Sequence, residues 1–254
     1  MGNRLEEKVA VVTGSTKGIG RGIAVMLAQE GARVVVSGRD LHAGHEVAQE
    51  IRDTGGEAVF IQTDVTKEDN CERLIHTAAN NYGSVDILVN NAGIFPRGDI
   101  LETTEELWDE VMSVNLKGAF FCSKHAISIM KAQGKGSIIN IGSGHGYGGG
   151  SNLFAYSVSK GGLLTMTKSL AKAYARDGIR VNWIIVGWVI TPGEIAVREA
   201  EGHDEEWLKQ QGKRNPFGRL QTPEDIAHVV VFLSSDEASQ ISGAEIPVSG
   251  GWVK

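Results

Sequence analysis

Short runs of β-branched and apolar residues alternate along the whole chain with segments of helical length. This alternation is typical of βαβ units, in which helices join parallel strands and cover both faces of one sheet. The apolar runs predict strands at 8–13, 33–37, 58–62, 87–90, 137–141, 180–186 and 244–248. Amphipathic segments predict helices at 20–30, 40–54, 67–82, 104–132, 156–176 and 222–235. The sequence therefore predicts an α/β fold with a doubly wound parallel sheet of about seven strands.

The size and composition of the chain suit one domain. Its 254 residues are 41% hydrophobic and 22% charged, and no repeat or low-complexity linker divides them. One α/β domain can absorb a chain of this length, so we predict a single domain over 1–254. The segment 192–215 is polar and has weak periodicity, which predicts an inserted loop that covers a ligand site.

Charge and cysteine content limit the partners of the protein. A net charge of −6 with scattered Lys and Arg residues argues against nucleic acid and against anionic membranes. The first eight residues are polar, without the apolar core of a signal peptide, which predicts a cytoplasmic protein. Cys71 and Cys122 form no C-x-x-C pair or metal-ligand spacing, so we expect two buried helical residues and no metal.

A glycine-rich turn joins the first strand to the first helix. It reads Thr13-Gly14-Ser15-Thr16-Lys17-Gly18-Ile19-Gly20. Gly14 allows the tight turn, Gly18 allows close approach of a pyrophosphate, and Gly20 lets the helix pack on the strand. Because an apolar strand precedes the turn and an amphipathic helix follows it, the motif has the context of a dinucleotide site. The prediction is a Rossmann-type domain.

A second group of residues has the chemistry of proton transfer. Tyr156 and Lys160 are four positions apart, which places them on one face of a helix. A cation one turn away lowers the pKa of a tyrosine hydroxyl from its usual value of about 10. Ser143, 13 residues before Tyr156 and just past the fifth strand, can donate a hydrogen bond to a substrate oxygen. Asn115 falls mid-helix, where Asn is a poor helix former, and this favours a functional role.

Two neighbouring side chains are alternatives for this chemistry. Tyr147 follows Ser143 closely, but it has no lysine one turn later and is expected to line a substrate cleft. His145 has the chemistry of a general base. With Tyr156 and Lys160 present, it is interpreted as a substrate contact or a loop residue.

These motifs together resemble the short-chain dehydrogenase/reductase family. The glycine turn, Asn90-Asn91-Ala92-Gly93 after the fourth strand, and Tyr156 with Lys160 carry the resemblance, which spans Lys8 to Trp252. It implies an NAD(P)-dependent oxidoreductase that transfers a hydride between the cofactor and an alcohol or ketone. The implied catalytic tetrad is Asn115, Ser143, Tyr156 and Lys160. In the family the matching Asn holds a water that links the lysine to solvent, and the lysine also donates to the nicotinamide ribose.

The resemblance implies further contacts of the cofactor and of the assembly. The Asp64-Val65 pair would border the adenine, while Asn91, Ala92 and Gly93 would support the cofactor and the central sheet. Val189 and Thr191 would bind near the carboxamide, although Val186 replaces the proline that the family usually carries there. The family commonly forms tetramers, here through the helices predicted at 104–132 and 156–176. Their outer faces carry Phe120, Phe121, Leu163, Leu164 and Met166, which either contact a partner or face the core of the same chain.

The choice between NADP and NAD depends on the end of the second strand. A carboxylate there would bind the ribose hydroxyls of NAD and repel a 2′-phosphate, but this chain has Ser37. Arg39 follows shortly after, and Lys17 lies in the glycine turn. Two cations can neutralise a phosphate, so we predict NADP, with NAD as the alternative.

Two other functional classes stay open on the same fold. One is a non-catalytic dinucleotide-binding regulator, since fold does not fix function. The other is a different Rossmann protein such as a methyltransferase, which would need neither Tyr156 nor Lys160. Aromatic residues expected near the pocket favour a partly apolar alcohol or ketone, with a sugar or polyol as the alternative. These residues are His145, Tyr147, Phe154 and Trp188.

Overall fold

The structure, a computed structural model, describes residues 3–251 and contains one seven-stranded parallel sheet. The remaining residues of the predicted domain 1–254, including Trp252, lie outside the described part of the chain. The strands are β1 Val9–Val12, β2 Arg33–Gly38, β3 Glu57–Gln62, β4 Ile87–Asn90, β5 Gly136–Ile141, β6 Ile179–Val186 and β7 Glu245–Val248. Their order in the sheet is β3-β2-β1-β4-β5-β6-β7, with parallel pairing throughout. The predicted α/β class and the seven strands are confirmed.

The order of the strands creates a switch point beside β1. The chain first winds from β1 through β2 to β3, then returns to the other side of β1 with β4. Val12 of β1 is in register with Val36 of β2 and Val89 of β4. The loops that follow β1 and β4 therefore begin side by side at the carboxyl ends of the strands, where open α/β sheets bind ligands.

Ten α-helices occur in the described residues, and most follow the predicted segments. They are α1 Gly18–Gln29, α2 Leu41–Asp53, α3 Glu68–Tyr82, α4 Glu105–Met112, α5 Gly118–Gln133, α6 His145–Gly148, α7 Phe154–Tyr174, α8 Pro192–Ala200, α9 Glu205–Arg214 and α10 Pro223–Ser234. The helix predicted at 104–132 is divided, because a π-helical turn, Ser113–Lys117, separates α4 from α5. None of the described helices is long and apolar enough to cross a membrane.

The polar segment 192–215, predicted as an inserted loop over a ligand site, forms the two helices α8 and α9. Thr191 caps α8 by accepting the backbone N–H of Glu194, with Pro192 in the first turn, and Asp204 caps α9 in the same way. The same Thr-Pro signal correctly predicted α10 at Thr222. The periodicity was weak because each of these two surface helices buries few residues.

Two apolar layers hold the helices on the two faces of the sheet. Residues of α1, α2 and α10 form one layer, and residues of α3, α5 and α7 form the other. Cys71 of α3 and Cys122 of α5 are fully buried free thiols in the second layer, as predicted. The sheet is therefore fixed from both sides, which makes its carboxyl edge a rigid platform for loops.

Candidate active site

The glycine turn after β1 has the shape that binding of a phosphate requires. Gly14 and Gly18 have φ values of 62° and 55°, a region that favours glycine. A Cβ atom on Gly14 would lie 2.8 Å from the Cα of Ala92, and one on Gly20 would collide with the carbonyl oxygen of Gly14. Lys17 precedes α1 without a side-chain capping hydrogen bond. The first backbone N–H groups of α1 are thus left for an anionic ligand.

Asn91 ties this turn to the loop after β4. Its side-chain amide donates to the carbonyl oxygens of Thr13 and Gly14, at 2.9 and 3.0 Å. The Thr13 hydroxyl accepts the backbone N–H groups of Asn91 and Ala92, at 3.0 and 3.1 Å. The predicted Asn-Asn-Ala-Gly motif is therefore a brace between the two loops at the switch point.

The end of β2 differs from the prediction by one residue. Ser37 is fully buried, its hydroxyl donates to the carbonyl oxygen of Val12 at 3.0 Å, and its N–H donates to the Ser15 hydroxyl at 2.9 Å. The strand continues to Gly38, so this glycine occupies the position from which a carboxylate would reach a ribose. Ser37 and Ser15 instead hold the glycine turn against β2 from beneath. The expectation that Ser37 faces the cofactor is not met.

The two cations predicted to select NADP are both exposed at this edge. Arg39 directly follows β2, and its charge helps to lower the pKa of Asp64 after β3. Lys17 lines a cavity of about 430 Å³ between α1 and α2, together with Thr16 and Gly18, whereas Ile19 packs against the core.

Asp64 has a structural role in its own loop. Its Oδ1 accepts the backbone N–H of Thr66 at 3.0 Å and the Thr66 hydroxyl at 2.8 Å. Burial raises the pKa of Asp64, but these hydrogen bonds and the charges of Arg39 and Lys67 outweigh it, so the net pKa is lowered. Val65 is buried next to Gly118, where a Cβ atom would approach it to 2.9 Å. The Asp-Val pair thus shapes the loop at the β3 end of the crevice.

Asn115 lies within the π-helical turn and is 1% exposed. Its Oδ1 accepts the backbone N–H of Ile94 at 2.8 Å, while its Nδ2 donates to the carbonyl oxygen of Ile94 at 2.8 Å and to the Ser159 hydroxyl at 3.1 Å. Ser159 in turn donates to the carbonyl oxygen of Tyr156 at 2.6 Å. Asn115 therefore clamps the loop after β4 onto α7. Both of its amide N–H groups are taken, so its backbone carbonyl is the better candidate for holding a water. A π turn inside a helix often marks a functional site.

Ser143, Tyr156 and Lys160 meet beyond the carboxyl end of β5. Ser143 is buried, its hydroxyl accepts the backbone N–H of His145 at 3.3 Å, and it lies close enough to Tyr156 to lower the pKa of that hydroxyl. Lys160 is 4% exposed, and its Nζ donates to the carbonyl oxygen of Ile141 at 2.8 Å. The same Nζ lies 5.6 Å from the centroid of the Tyr156 ring. A Cβ atom on Gly93 would lie 3.7 Å from this Nζ, which places the lysine against the loop after β4.

Burial governs the ionisation of this cluster. Desolvation raises the pKa of Tyr156 above its ordinary value, and the hydrogen bond with Ser143 offsets only part of this. Desolvation also lowers the pKa of Lys160 to about 8. Among the groups of the chain itself the effect of burial dominates, so the pKa of Tyr156 is raised rather than lowered as predicted. Tyr156 holds its proton at neutral pH and can donate it to an oxygen beside it.

The loop after β6 closes the crevice from the far side. Val189 is buried and pairs with Gln221 in a short parallel bridge. Thr191 packs on the glycine turn, because a Cβ atom on Gly18 would lie 3.6 Å from its side chain. Thr191 therefore lies next to the glycine turn, and Val189 lies beside Gln221; their contact with the carboxamide stays a prediction.

A charged and aromatic cluster, which the sequence analysis missed, tethers α8 to the rest of the site. Glu194 is 8% exposed and accepts hydrogen bonds from Trp188 Nε1 and Arg198 Nε, each at 2.7 Å. Arg198 also pairs with Glu201 at 2.6 Å, and Glu201 pairs with Arg97 of the β4 loop at 3.2 Å. The spacing of Glu194 and Arg198, one helical turn, was the signal in the sequence.

Aromatic side chains surround the Tyr156 ring. The ring centroids of His145 and Phe95 lie 6.1 and 6.4 Å from that of Tyr156. Tyr147 packs edge-on against the buried Trp183, with centroids 5.2 Å apart. Of these residues, Phe95 was missed, because nothing in its position after the Asn-Asn-Ala-Gly motif indicated which way it would face.

The site fits a dinucleotide and a small substrate. The glycine cradle that a Cβ atom would fill and the uncapped N-terminus of α1 suit a pyrophosphate. The hydroxyls of Ser143 and Tyr156 and the ammonium group of Lys160 lie beyond the end of β5, where a substrate oxygen could reach them. Hydrogen-bond donors placed around one oxygen stabilise the charge that it develops during carbonyl chemistry.

Comparison with known proteins assigns the chain to a family. A family profile described as "Enoyl-(Acyl carrier protein) reductase" matches residues 14–253. The chain is 40% identical to the cis-4-hydroxycyclohexanecarboxylate dehydrogenase of Sinomonas cyclohexanicum, covering 99% of both chains. It is also 40% identical to the NADP-dependent (R)-specific alcohol dehydrogenase of Lentilactobacillus kefiri, again covering 99% of both. A crystal structure assigned as a short-chain alcohol dehydrogenase from Sinorhizobium meliloti 1021 superposes with a TM-score of 0.90 at 40% identity, covering 97% of this chain and 96% of that one.

The chain therefore belongs to the short-chain dehydrogenase/reductase family. It is an NAD(P)-dependent oxidoreductase that acts on alcohol groups.

Proposed function

We propose that the protein is an NADP(H)-dependent oxidoreductase of alcohols and ketones that uses Asn115, Ser143, Tyr156 and Lys160. The observation that carries the proposal is that Tyr156 and the buried Ser143 come together beyond β5, with the buried ammonium of Lys160 5.6 Å from the centroid of the Tyr156 ring. A substrate oxygen bound there would accept hydrogen bonds from the Ser143 and Tyr156 hydroxyls, with the Lys160 cation next to Tyr156.

Each residue has a separate part in the proposed reaction. When bound, the nicotinamide cofactor donates or accepts the hydride. Tyr156 gives its proton to the substrate oxygen in ketone reduction and takes it back in alcohol oxidation. Ser143 donates a hydrogen bond to the same oxygen. Lys160 stabilises the phenolate that Tyr156 becomes, and Asn115 positions α7 against the loop after β4.

The surroundings of Tyr156 favour a compact, partly apolar substrate. Phe95 and His145 flank the ring of Tyr156. Arg97 and Arg198 are already paired with carboxylates, so neither offers a free charge to a substrate. Two relatives are named for cyclic alcohols, one a hydroxycyclohexanecarboxylate and one a chlorinated cyclohexadiene diol. We propose cyclic or branched secondary alcohols and their ketones as the substrate class. Tyr147, Phe154 and Trp188 are the other proposed pocket residues, and 192–215 is the proposed substrate cover.

An assay panel tests the activity and the substrate class together. Cyclic and linear secondary alcohols, hydroxy acids, sugars and acyl-thioesters would be offered with each oxidised or reduced cofactor, and the absorbance of the reduced nicotinamide followed. We expect turnover of cyclic secondary alcohols or the matching ketones, with NADP(H) preferred. Turnover confined to sugars or thioesters would contradict the substrate class.

The preference for NADP(H) has a prediction of its own. If Arg39 binds the 2′-phosphate through a charge-assisted hydrogen bond of roughly 1.5–3 kcal/mol, Arg39→Ala should weaken NADPH binding by about tenfold or more. Binding of NADH should barely change, because it has no phosphate there. Fluorescence titration with both reduced cofactors measures this, and Arg176→Ala, at an exposed arginine on the chain segment after α7, is the matched control. Equal losses for both cofactors would contradict the proposal.

The reverse substitution follows from the corrected end of β2. An aspartate at Gly38, rather than at the buried Ser37, would add a ribose acceptor and repel a phosphate. A Cβ atom there would lie 2.7 Å from Thr16 Cγ2, so the Thr16 side chain must rotate to admit it. Gly38→Asp is the change that would move the preference toward NADH, whereas Ser37→Asp would bury a carboxylate and destabilise the turn.

We further propose a homotetramer, in which the face of α5 and α7 contacts a second copy. Leu163 and Leu164, which were expected at the interface, are buried in the chain's own core. Phe120 and Val158 are instead 48% and 40% exposed, and an apolar groove of about 550 Å³ lies along Phe120 and Met166. Apolar surface of this kind marks contact sites.

Light scattering tests the assembly. We expect a mass of about four 27.2-kDa chains for the wild type and a smaller mass for Phe120→Asp, because a charge in an apolar interface is costly. Leu101→Asp is the matched control, since Leu101 is 91% exposed in the loop after β4. A monomeric wild type at micromolar concentration would contradict the proposal.

A cytoplasmic location is also proposed and stays a prediction.

A further inference from the structure

Two histidines and a glutamate lie close together where helices α3 and α5 pack side by side. Glu72 and His76 lie one turn apart on α3, and His125 lies opposite them on α5. One potential ligand atom from each of the three residues lies within 4.8 Å of the other two. The His76 and His125 rings have centroids 6.4 Å apart and are steeply inclined to each other.

His125 is held in this position without a satisfied hydrogen bond. Its side chain is 13% exposed, and its Nε2 atom is buried with no hydrogen-bond partner among the described residues. The nearest acceptor is Oε1 of Glu68, 3.4 Å away, which also accepts a hydrogen bond from Lys124 at 2.7 Å. The contact with Glu68 is long and poorly aligned, and a buried polar atom without a well-formed hydrogen bond is unfavourable, so a metal ion would give this nitrogen a better partner.

The donor set determines which electrophile it would accept. Two imidazoles and one carboxylate form a common ligand set for zinc, and it leaves a further position for water or a fourth side chain. Ligand atoms about 2.0–2.2 Å from a tetrahedral ion are about 3.4 Å apart, so atoms that lie within 4.8 Å of one another must approach by up to about 1.4 Å. Glu72 and His76 are each 53% exposed and can make this movement by rotating. Glu68 lies outside this group and is paired with Lys124 at 2.7 Å, so water would take the fourth position.

We propose that Glu72, His76 and His125 form a binding site for a divalent transition-metal ion of the zinc type, which links α3 to α5. None of the residues proposed for hydride transfer belongs to it. The ion would link two helices that pack on the same face of the sheet, α3 against β1 and β2 and α5 against β4 and β5. It would stabilise the folded chain by binding it in preference to the unfolded chain.

The chain contains a matched control for this site. His42 and Glu46 form another exposed pair one helical turn apart, on α2, with Nδ1 of His42 3.3 Å from Oε2 of Glu46. The potential metal-binding groups among the described residues do not include this pair. If any exposed Glu–His pair bound the ion, the α2 pair would do so as well.

Titration of untagged, chelator-treated protein with Zn²⁺, followed by calorimetry, tests the proposal. We expect one saturable site in the wild type and in His42→Ala, and its loss in His76→Ala and in His125→Ala. With Zn²⁺ at a hundred times its Kd, the melting temperature of the wild type should rise by roughly 5–10 °C, and that of His76→Ala should not. His76 is exposed, so its replacement does not endanger the fold.

Co²⁺ in place of Zn²⁺ reports which atoms bind. We expect visible d–d absorption without the intense near-ultraviolet bands of thiolate ligands, since Cys71 and Cys122 are buried in the core below. Thiolate bands would place the ion on the cysteines and overturn the proposal. So would the absence of saturable binding in the wild type, or an equal loss in His42→Ala.

Discussion

Tyr156→Phe is expected to reduce kcat by about 10²–10⁴, the usual contribution of a positioned acid–base group, while binding of NADPH stays nearly unchanged. The substitution removes the hydroxyl beside Ser143, but it leaves the ring that packs against His145 and Phe95. The raised pKa of Tyr156 means that the wild-type hydroxyl is protonated at neutral pH. Ketone reduction should therefore suffer at least as much as alcohol oxidation.

Steady-state kinetics in both directions and a separate titration of NADPH measure these effects. Tyr147→Phe is the matched control, because Tyr147 is a partly exposed tyrosine of the same cleft that packs on Trp183. We expect it to change KM more than kcat. Substantial turnover in Tyr156→Phe, alongside an active wild type, would show that another group transfers the proton and would overturn the proposed tetrad.

The fold could be predicted from the sequence because its signals are local and repeated. Each strand is a short apolar run between helical segments, a pattern that predicts a parallel sheet, whereas the pairing of β4 with β1 instead of β3 is not a local signal. The glycine turn predicted the dinucleotide site for the same reason, because its signal is local in the sequence. The positive φ values at Gly14 and Gly18 and the collision that a Cβ atom on Gly20 would cause are properties of the backbone.

The direction in which an individual side chain faces could not be predicted from local sequence patterns. The register of β2 decides that Ser37 is buried and Gly38 faces the crevice, and a shift of one residue reverses the two faces. Leu163 and Leu164 were assigned to an outer face for a similar reason. The π-helical turn at Asn115 requires tertiary contacts with Ile94 and Ser159, which no periodicity reveals. Helices α8 and α9 were not predicted, although Thr191 and Asp204 are typical capping residues. Each helix buries few residues, so its hydrophobic periodicity is weak.

Lys160→Met is the second substitution with a large expected effect, and it separates function from stability. Removing the ammonium should reduce kcat/KM by about 10²–10⁴, because Tyr156 loses the charge that stabilises its phenolate. The lowering of the Lys160 pKa from 10.5 to about 8 shows that burial of the charged form is unfavourable, by about 3 kcal/mol. Met relieves this, but it leaves the carbonyl of Ile141 without its donor, a loss of about 1–3 kcal/mol. At pH 7 the variant should therefore be nearly as stable as the wild type, or more so.

The pH dependence of stability provides the decisive measurement for Lys160. Because its folded-state pKa lies below its unfolded value, the penalty for burying the charge is complete below pH 8 and disappears as the pH rises from about 8 to 10.5. The wild type should thus gain about 2 kcal/mol relative to Lys160→Met between pH 7 and about 9.5. Urea denaturation of both proteins at the two pH values measures this, with Lys168→Met, at an exposed lysine two turns further along α7, as the control. A stability difference between wild type and Lys160→Met that does not change with pH would mean that Lys160 titrates normally, and that its proposed electrostatic role is wrong.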